Sequence, residues 1–266
     1  MVNDQKNSLF TLVKSLNKSE KRQFKLFVGR LEKNTDSKFL TLFNLLDKMD
    51  VYDENLIFRK SDISKKQLSN LKSNLYRQIL VSLRLSPQHQ TAHIQIREQL
   101  DFATILYNKG LYQQSLKILD KARSAALELD ETNMAFEIIE FEKAIESQYI
   151  TRSLRSRADD LAVEAKDLSI RNVLLSKLSN LSLQLHSFLL AHGYAKDEDD
   201  YLTARNYFYS RLPAFDIDEL GYRERMYLYQ SQLWYSFIVQ DFRAAYKYSQ
   251  KWVDLYEEFP EMISSN

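Results

Sequence analysis

The chain has 266 residues, 44% of them hydrophobic, and no Cys; that is enough apolar material for a core, and it excludes disulfides and thiolate metal sites. Four Gly and three Pro, where average usage gives about 19 and 13, argue against sheets and long loops and predict an all-α chain. The formal charge of +1 hides an asymmetry: residues 1–90 carry 17 Lys+Arg against 9 Asp+Glu, net +8, and residues 91–266 carry 20 against 27, net −7.

Ser8 to Leu16 holds Leu9, Phe10, Leu12, Val13 and Leu16, a short amphipathic helix. Asn17-Lys18-Ser19-Glu20 offers a capping-box start for a second helix, with Phe24, Phe27, Val28 and Leu31 on one side and Lys21, Arg22, Lys25 and Arg30 on the other. Asp36 or Ser37 caps a third helix running to Met49, and Asp53 a short one through Phe58. Ser64-Lys65-Lys66-Gln67 is a further capping box, opening a helix that ends near Leu85. Ser86-Pro87 reads as an N-cap with proline at the first helical position, so a new helix is expected there. The expected domains are therefore a basic helical domain over 1–88 and an array of helical hairpins over 89–266.

The second part is anchored by Leu106–Ala122, which reads as helix, tight turn at Gly110, helix. Tyr112, Ser115, Leu119 and Ala122 form one stripe at 3-4-3 spacing. The spacing recurs as Arg155, Ala158, Ala162, Ala165, then Tyr201, Ala204, Phe208, Arg211, then Phe242, Ala245, Ser249, Trp252. The starts lie 43, 46 and 41 residues apart, so about four hairpins are expected, with first helices over Thr132–Ile150, Asn172–Ala191 and Glu219–Gln240. Breaks are expected at Asp130–Thr132, at Ser169–Arg171 and at Pro213, and Asp216–Glu219 should cap the next helix.

The pattern Gly-x-Tyr-x-x-small-x-x-x-large-x-x-Ala, present from Gly110 to Ala122, resembles the tetratricopeptide repeat. In the later hairpins Asp199 and Gln240 stand where the turn glycine would be. The resemblance implies a right-handed superhelix of antiparallel helix pairs with a concave groove. Taken whole, the chain also looks like a group of bacterial proteins with a basic helical start followed by such repeats, a likeness that implies no activity. Trp252, Leu255 and Tyr256 form an apolar face close to the end of the sequence, where repeat arrays carry a polar cap. That predicts either further repeats beyond Asn266 or self-association through the C-terminal helix.

Little in the sequence points to reaction chemistry. His89 and His93 lie at i, i+4, the spacing of a metal-holding pair, but there is no third ligand nearby. His186 reads as a packing residue, and His192 precedes the Gly193 turn. Asp197-Glu198-Asp199-Asp200 lacks the spacing of a calcium loop and reads as first-turn carboxylates complementing a helix dipole. With no phosphate-binding glycine loop, nucleophile elbow or acid/base pair, the chain reads as no enzyme and requires no metal and no cofactor.

Two binding surfaces are expected instead. On the repeat register Arg97, Thr104, Tyr107 and Asn108, and later Tyr227, Gln230 and Trp234, should face the groove, where solenoids hold protein or peptide partners. The groove type that grips a peptide carboxylate uses Lys and Asn at first-helix positions occupied here by Leu100 and Thr104, which disfavours that ligand. The alternative is a nucleic-acid-binding regulator: the helices over 37–49, 54–59 and 64–85 read as a helix-turn-helix, with Lys60, Lys65, Lys66, Lys72 and Arg77 as phosphate or base contacts. No apolar run approaches the roughly 18 residues that cross a bilayer, and the N-terminal residues lack a signal-peptide layout. The expectation is a cytoplasmic scaffold with no membrane contact.

Overall fold

The computed structural model describes residues 8–31, 37–148 and 155–262. Asp36, Ile150 and Asn266 lie outside them, as do the side chains of Arg30, Leu31, Ser37 and Arg155. Of the described residues 84% are helical, in twelve α-helices and three short 3-10 turns, and none forms a strand. None of these helices is long and apolar enough to cross a membrane. The chain divides into two compact units, Met1–Ile94 and Gln95–Asn266.

In the first unit the capping signals act where the sequence puts them. Helix α1 (Ser8–Ser15) is followed by α2 (Lys18–Leu31), whose start is a reciprocal box. The Asn17 amide donates to Glu20 Oε2 at 2.7 Å, and the Glu20 amide donates to Asn17 Oδ1 at 2.9 Å. The Asn17 amide, helped by His89, holds the Glu20 carboxyl below its usual range even though burial opposes this. After α3 (Ser37–Lys48), Asp53 caps α4 (Glu54–Lys60) by accepting from the Asn55 amide at 2.8 Å. At α5 (Lys65–Arg84) the Ser64 amide donates to Gln67 Oε1 at 3.3 Å. Helices α1, α2 and α3 pack on α5 around Val13, Phe24, Leu42, Phe43, Leu46, Leu75 and Ile79. The rings of Phe24 and Phe43 lie 4.7 Å apart at its centre.

The helix expected at Pro87 is a single 3-10 turn, Pro87–His89, and α6 begins later, at Ala92. Two side chains tie this turn back to α2. Ser86 Oγ donates to Gln23 Oε1 at 3.0 Å, and His89 Nε2 lies 2.8 Å from Glu20 Oε1. Gln90, at ψ 66°, leaves the helical path. His89 and His93 therefore stand on different elements rather than on one helical face, and His89 is engaged by a carboxylate.

The second unit is built on a regular step. Helices α6 (Ala92–Asn108), α7 (Tyr112–Glu128) and α8 (Thr132–Gln148) each have 17 residues and start 20 residues apart, as do α11 (Tyr222–Ile238) and α12 (Phe242–Glu258). Each connection has three residues, with the middle one at positive φ: Gly110 (74°), Asp130 (53°) and Gln240 (58°). In each, the next amide reaches back over the turn, from Leu111 to Leu106 O, Glu131 to Ala126 O and Asp241 to Ser236 O, at 2.8–2.9 Å. This closure satisfies the last carbonyls of the preceding helix. Gln240 thus does in the last turn what Gly110 does in the first. In the third hairpin the positive-φ residue is Gly193 (75°) and not Asp199; Asp199 lies in the first turn of α10 (Glu198–Tyr209), which Asp197 caps by accepting from the Asp200 amide at 2.9 Å.

Small residues set the closest approach of α6 and α7. Ala103 and Ser115 are fully buried, and Ser115 Oγ donates to the Ala103 carbonyl at 2.8 Å. Leu119, Ala122, Ala135, Ile138 and Ile139 continue that core.

The break expected at Ser169–Arg171 is absent. Helix α9 runs unbroken from Arg155 to His192, 38 residues and about 57 Å long. No Gly or Pro interrupts it, and two buried runs at three- and four-residue spacing, Leu161, Ala165, Leu168 and then Leu175, Leu178, Leu181, Leu185, are bridged by half-buried Arg171 and Asn172. The expected break falls between these runs, where Arg171 and Asn172 continue the packed side through bonds to Asp130, Glu224 and the Thr132 carbonyl, so nothing offsets the backbone hydrogen bonds that a break there would lose. Of the assigned packing stripe Ala165 is buried, while Ala158 and Ala162 are exposed and Leu161 and Leu168 take the buried positions beside Ala165. The first part of α9 packs on α8 and the second part on α11, which also packs on α12 and touches α10. Here Phe208 stacks on Tyr235 at 4.4 Å and 11°.

Two ion clusters join these helices. Arg171, midway along α9, donates to Asp130 Oδ1 at 2.7 Å and to Glu224 at 3.2 and 3.3 Å. Asp130 Oδ2 also accepts from the Arg223 amide at 3.1 Å, and the Arg223 side chain pairs with Glu131. Burial opposes the charge on Arg171, but Asp130 and Glu224 outweigh it and hold the guanidinium protonated. In the other cluster Glu142 of α8, 1% exposed, lies between Arg123 of α7 at 3.4 Å and Arg157 of α9 at 2.5 Å. Burial nevertheless pushes its carboxyl above the ordinary range, against both arginines.

Candidate functional site

The residues expected to line one groove fall into two separate clusters. On α6, Arg97, Thr104 and Asn108 are exposed, and the Thr104 hydroxyl donates to the Leu100 carbonyl at 2.9 Å. Tyr107 is half-buried, its ring edge-on to Tyr112 and Phe141 and its hydroxyl donating to Gln148 Oε1 at 2.7 Å. On α11, Tyr227, Gln230 and Trp234 are half-buried against α9: Tyr227 packs in the cluster of Leu178 and Leu228, Gln230 Oε1 accepts from Ser182 Oγ at 3.1 Å, and Trp234 lies 4.7 Å from the His186 ring. These three side chains hold α11 to α9.

A recess in this unit lies elsewhere, between the middle of α9 and the connection 213–220. It measures about 620 Å³ and is lined by Ile170, Val173, Leu174, Lys177, Pro213 and Phe215, with the Arg171–Glu224 ion pair in its wall and Asp167, Asp216 and Glu219 also along it. A second recess of about 490 Å³, between α8 and α9, shares Val173 and Lys177 and adds Asn133, Phe136, Ser169, Asn172 and Ser176. Ile170 is 58% exposed and Val173 52%. They stand outside the leucine seam of α9, and an unbroken helix presents them at i, i+3, one turn apart.

Local structure places each wall. Pro213 stops α10 from continuing, and Asp216 caps the 3-10 turn Ile217–Glu219 by accepting from the Asp218 amide at 3.1 Å. Leu220 then buries against Leu178 and Leu228, which carries Phe215 to the α9 face. Gly221 lies so close to the ion cluster that a Cβ there would overlap Arg171 Nη2. In the neighbouring recess Asn172 Nδ2 donates to the Thr132 carbonyl at 3.4 Å, while Asn172 Oδ1 and Thr132 Oγ1 have no hydrogen-bond partner. Ile170 and Val173 lay in or beside the expected break, where apolar residues carry no directional meaning. Their position off the seam, read along one continuous helix, is the signal that would have found them.

In the first unit Lys60, Lys65, Lys66 and Arg77 are exposed. Lys72 is already engaged, 2.7 Å from Glu54 Oε1 and 4.6 Å from the Tyr52 ring, so the ion pair competes with its expected role as a phosphate contact. Lys72 and Tyr52 together hold Glu54 below the usual carboxylate range. The basic side expected on α2 forms a shallow surface where Lys18, Lys21, Arg22 and Lys25 surround Leu26; Lys21 is paired with Asp47 at 2.7 Å. Among the described residues no three His, Asp or Glu side chains gather closely enough to hold a metal ion.

Known proteins give no further guide: no protein family, curated protein or solved structure matches the chain.

Proposed function

We propose that this is a non-enzymatic interaction protein whose second unit, a tetratricopeptide-like array of helical hairpins, binds an extended polypeptide segment across α9. The observation that carries the reading is the paired recess on either side of Val173 and Lys177. Apolar anchors there (Ile170, Val173, Phe136, Phe215) alternate with polar groups, in the part of the chain, residues 91–266, with net charge −7. Equal 17-residue helices, three-residue turns and the Ala103–Ser115 approach favour the array. The ligand of best fit carries two apolar side chains about one turn or two extended residues apart, with a basic residue to meet Asp167, Asp216 or Glu219. A displayed library of short peptides tests this. Enriched peptides should lose at least about tenfold in affinity against Val173→Asp and Phe215→Ala, the loss of about 1.4 kcal/mol expected of one anchor. A library that enriches nothing, or peptides indifferent to both changes, would refute the assignment.

A second reading rests on α2, whose Lys18, Lys21, Arg22 and Lys25 at i, i+3, i+4 and i+7 form a cationic face. It is a nucleic-acid-binding surface of the first unit, working with Lys65, Lys66 and Arg77 through phosphate attraction. Gel-shift titration at two salt concentrations decides it: absence of binding at low salt removes it.

A further inference from the structure

The apolar face foreseen on α12 is used inside the molecule: Leu255 is buried and Trp252 and Tyr256 are half-buried. A different stripe remains uncovered. Phe242 (67% exposed), Tyr246 (73%) and Val253 (54%) fall at i, i+4 and i+11, with Ser249 between them at i+7, on one line along the helix.

Helix α7 shows what this line is for in the same chain. With the two hairpins aligned, Phe242, Tyr246, Ser249 and Val253 correspond to Tyr112, Leu116, Leu119 and Arg123. In α7 these positions are covered: Leu119 is fully buried, Leu116 packs on the same core, and Arg123 bonds Glu142 of α8. The covering element is an antiparallel helix.

The charges on α12 select the occupant. After the cap Asp241, the front of the helix carries Arg243, Lys247 and Lys251, and its end carries Asp254, Glu257 and Glu258. A helix with this gradient is complementary to its own antiparallel copy and to no parallel one. The stripe is self-complementary in size as well. A twofold axis between Tyr246 and Ser249 sets Tyr246 over the small Ser249 of the second copy and Phe242 over its Val253, and brings Arg243 within reach of Asp254 and Glu257.

We propose that the Phe242–Tyr246–Val253 face of α12 pairs two copies of this chain, antiparallel, about a twofold axis. One helix face buries less than the roughly 800 Å² per partner of a standard interface, so the dimer should be weak, with a dissociation constant on the order of 10–100 μM. Sedimentation velocity on the full chain from about 1 to 300 μM should show a monomer passing to a dimer. Tyr246→Glu should abolish that passage with an unchanged melting temperature, because the side chain is exposed. Arg243→Glu and Glu257→Arg should each weaken the dimer alone, and an equimolar mixture of the two should restore it as a heterodimer. A wild-type chain that stays monomeric throughout, or a dimer that survives Tyr246→Glu, overturns the proposal; so does a mixture that fails to recover. Val173→Asp and Phe215→Ala should leave the dimer intact, so failure here and failure of the peptide site are separate results.

Discussion

Removing Arg171 tests whether its ion cluster holds the second unit together. Its guanidinium lies between Asp130 and Glu224, whose side chains are 10% and 2% exposed. Arg171→Leu would leave two carboxylates facing each other with little water. Breaking a buried pair costs about 3–5 kcal/mol. Arg171 is itself one-third exposed, which admits water and brings the expectation to about 2–3 kcal/mol. For a unit of this size that lowers the melting temperature by about 5–10 °C. Glu224→Leu should cost less, because Arg171 keeps Asp130. The double variant should be at least about 1 kcal/mol more stable than the two losses summed, since it buries no orphan at position 224. Urea unfolding followed by circular dichroism gives all four corners of the cycle, with Lys166→Leu, on the exposed side of α9, as a control expected within about 0.5 kcal/mol of wild type. Additive losses, or an Arg171→Leu variant no weaker than the control, would show that the cluster does not couple α9 to α11.

The packing and the turns give three further expected outcomes. Ala245 is 4% exposed on the α11-facing side of α12, so Ala245→Trp should cost at least about 1–3 kcal/mol through overpacking, and an unchanged melting temperature would refute that placement. Gly110→Ala isolates backbone strain: at φ 74° a Cβ would meet nothing closer than Tyr112 Oη at 3.9 Å, so a loss of about 1 kcal/mol is expected from conformation alone, and none would mean the turn relaxes. For Glu142, whose carboxyl is raised above 4.5 by burial, the sign is that of a buried acid. The stabilisation linked to its proton is complete below about pH 4.5 and is lost as pH rises through the raised folded value. Glu142→Gln should therefore gain on wild type in melting temperature from about pH 4.5 to 7; a difference that shrinks over that range would mean Arg123 and Arg157 outweigh the burial.

Much of the local structure could be read from the residues. Asn17 with Glu20, Asp53, and Ser64 with Gln67 mark helix starts because each signal is satisfied within three residues, with no help from the rest of the fold. The scarcity of Gly and Pro pointed to an all-α chain for the same reason. The misread elements were those decided at longer range. The repeat register puts a break at Ser169–Arg171, but Arg171 is held inside the helix by Asp130 and Glu224, 41 and 53 residues away in sequence. Asp130 and Gln240 take the glycine-like conformation because tertiary contacts hold them there; Gln240 Nε2, for one, donates to the Ala195 carbonyl at 2.7 Å.

The candidate surfaces divide along the same line. Periodicity places Tyr227, Gln230 and Trp234 on one side of α11, yet it does not say that α9 already covers that side. It likewise finds the amphipathic face of α12 without showing that α11 takes Leu255 while Phe242, Tyr246 and Val253 remain outside. Sequence alone determined that this chain is helical, where most helices start, and how its charge is divided, because capping, propensity and composition act over a few bonds. Only the tertiary structure decided that one 38-residue helix joins the two ends of the second unit, and which apolar faces stay open, because those depend on contacts between residues far apart in the chain.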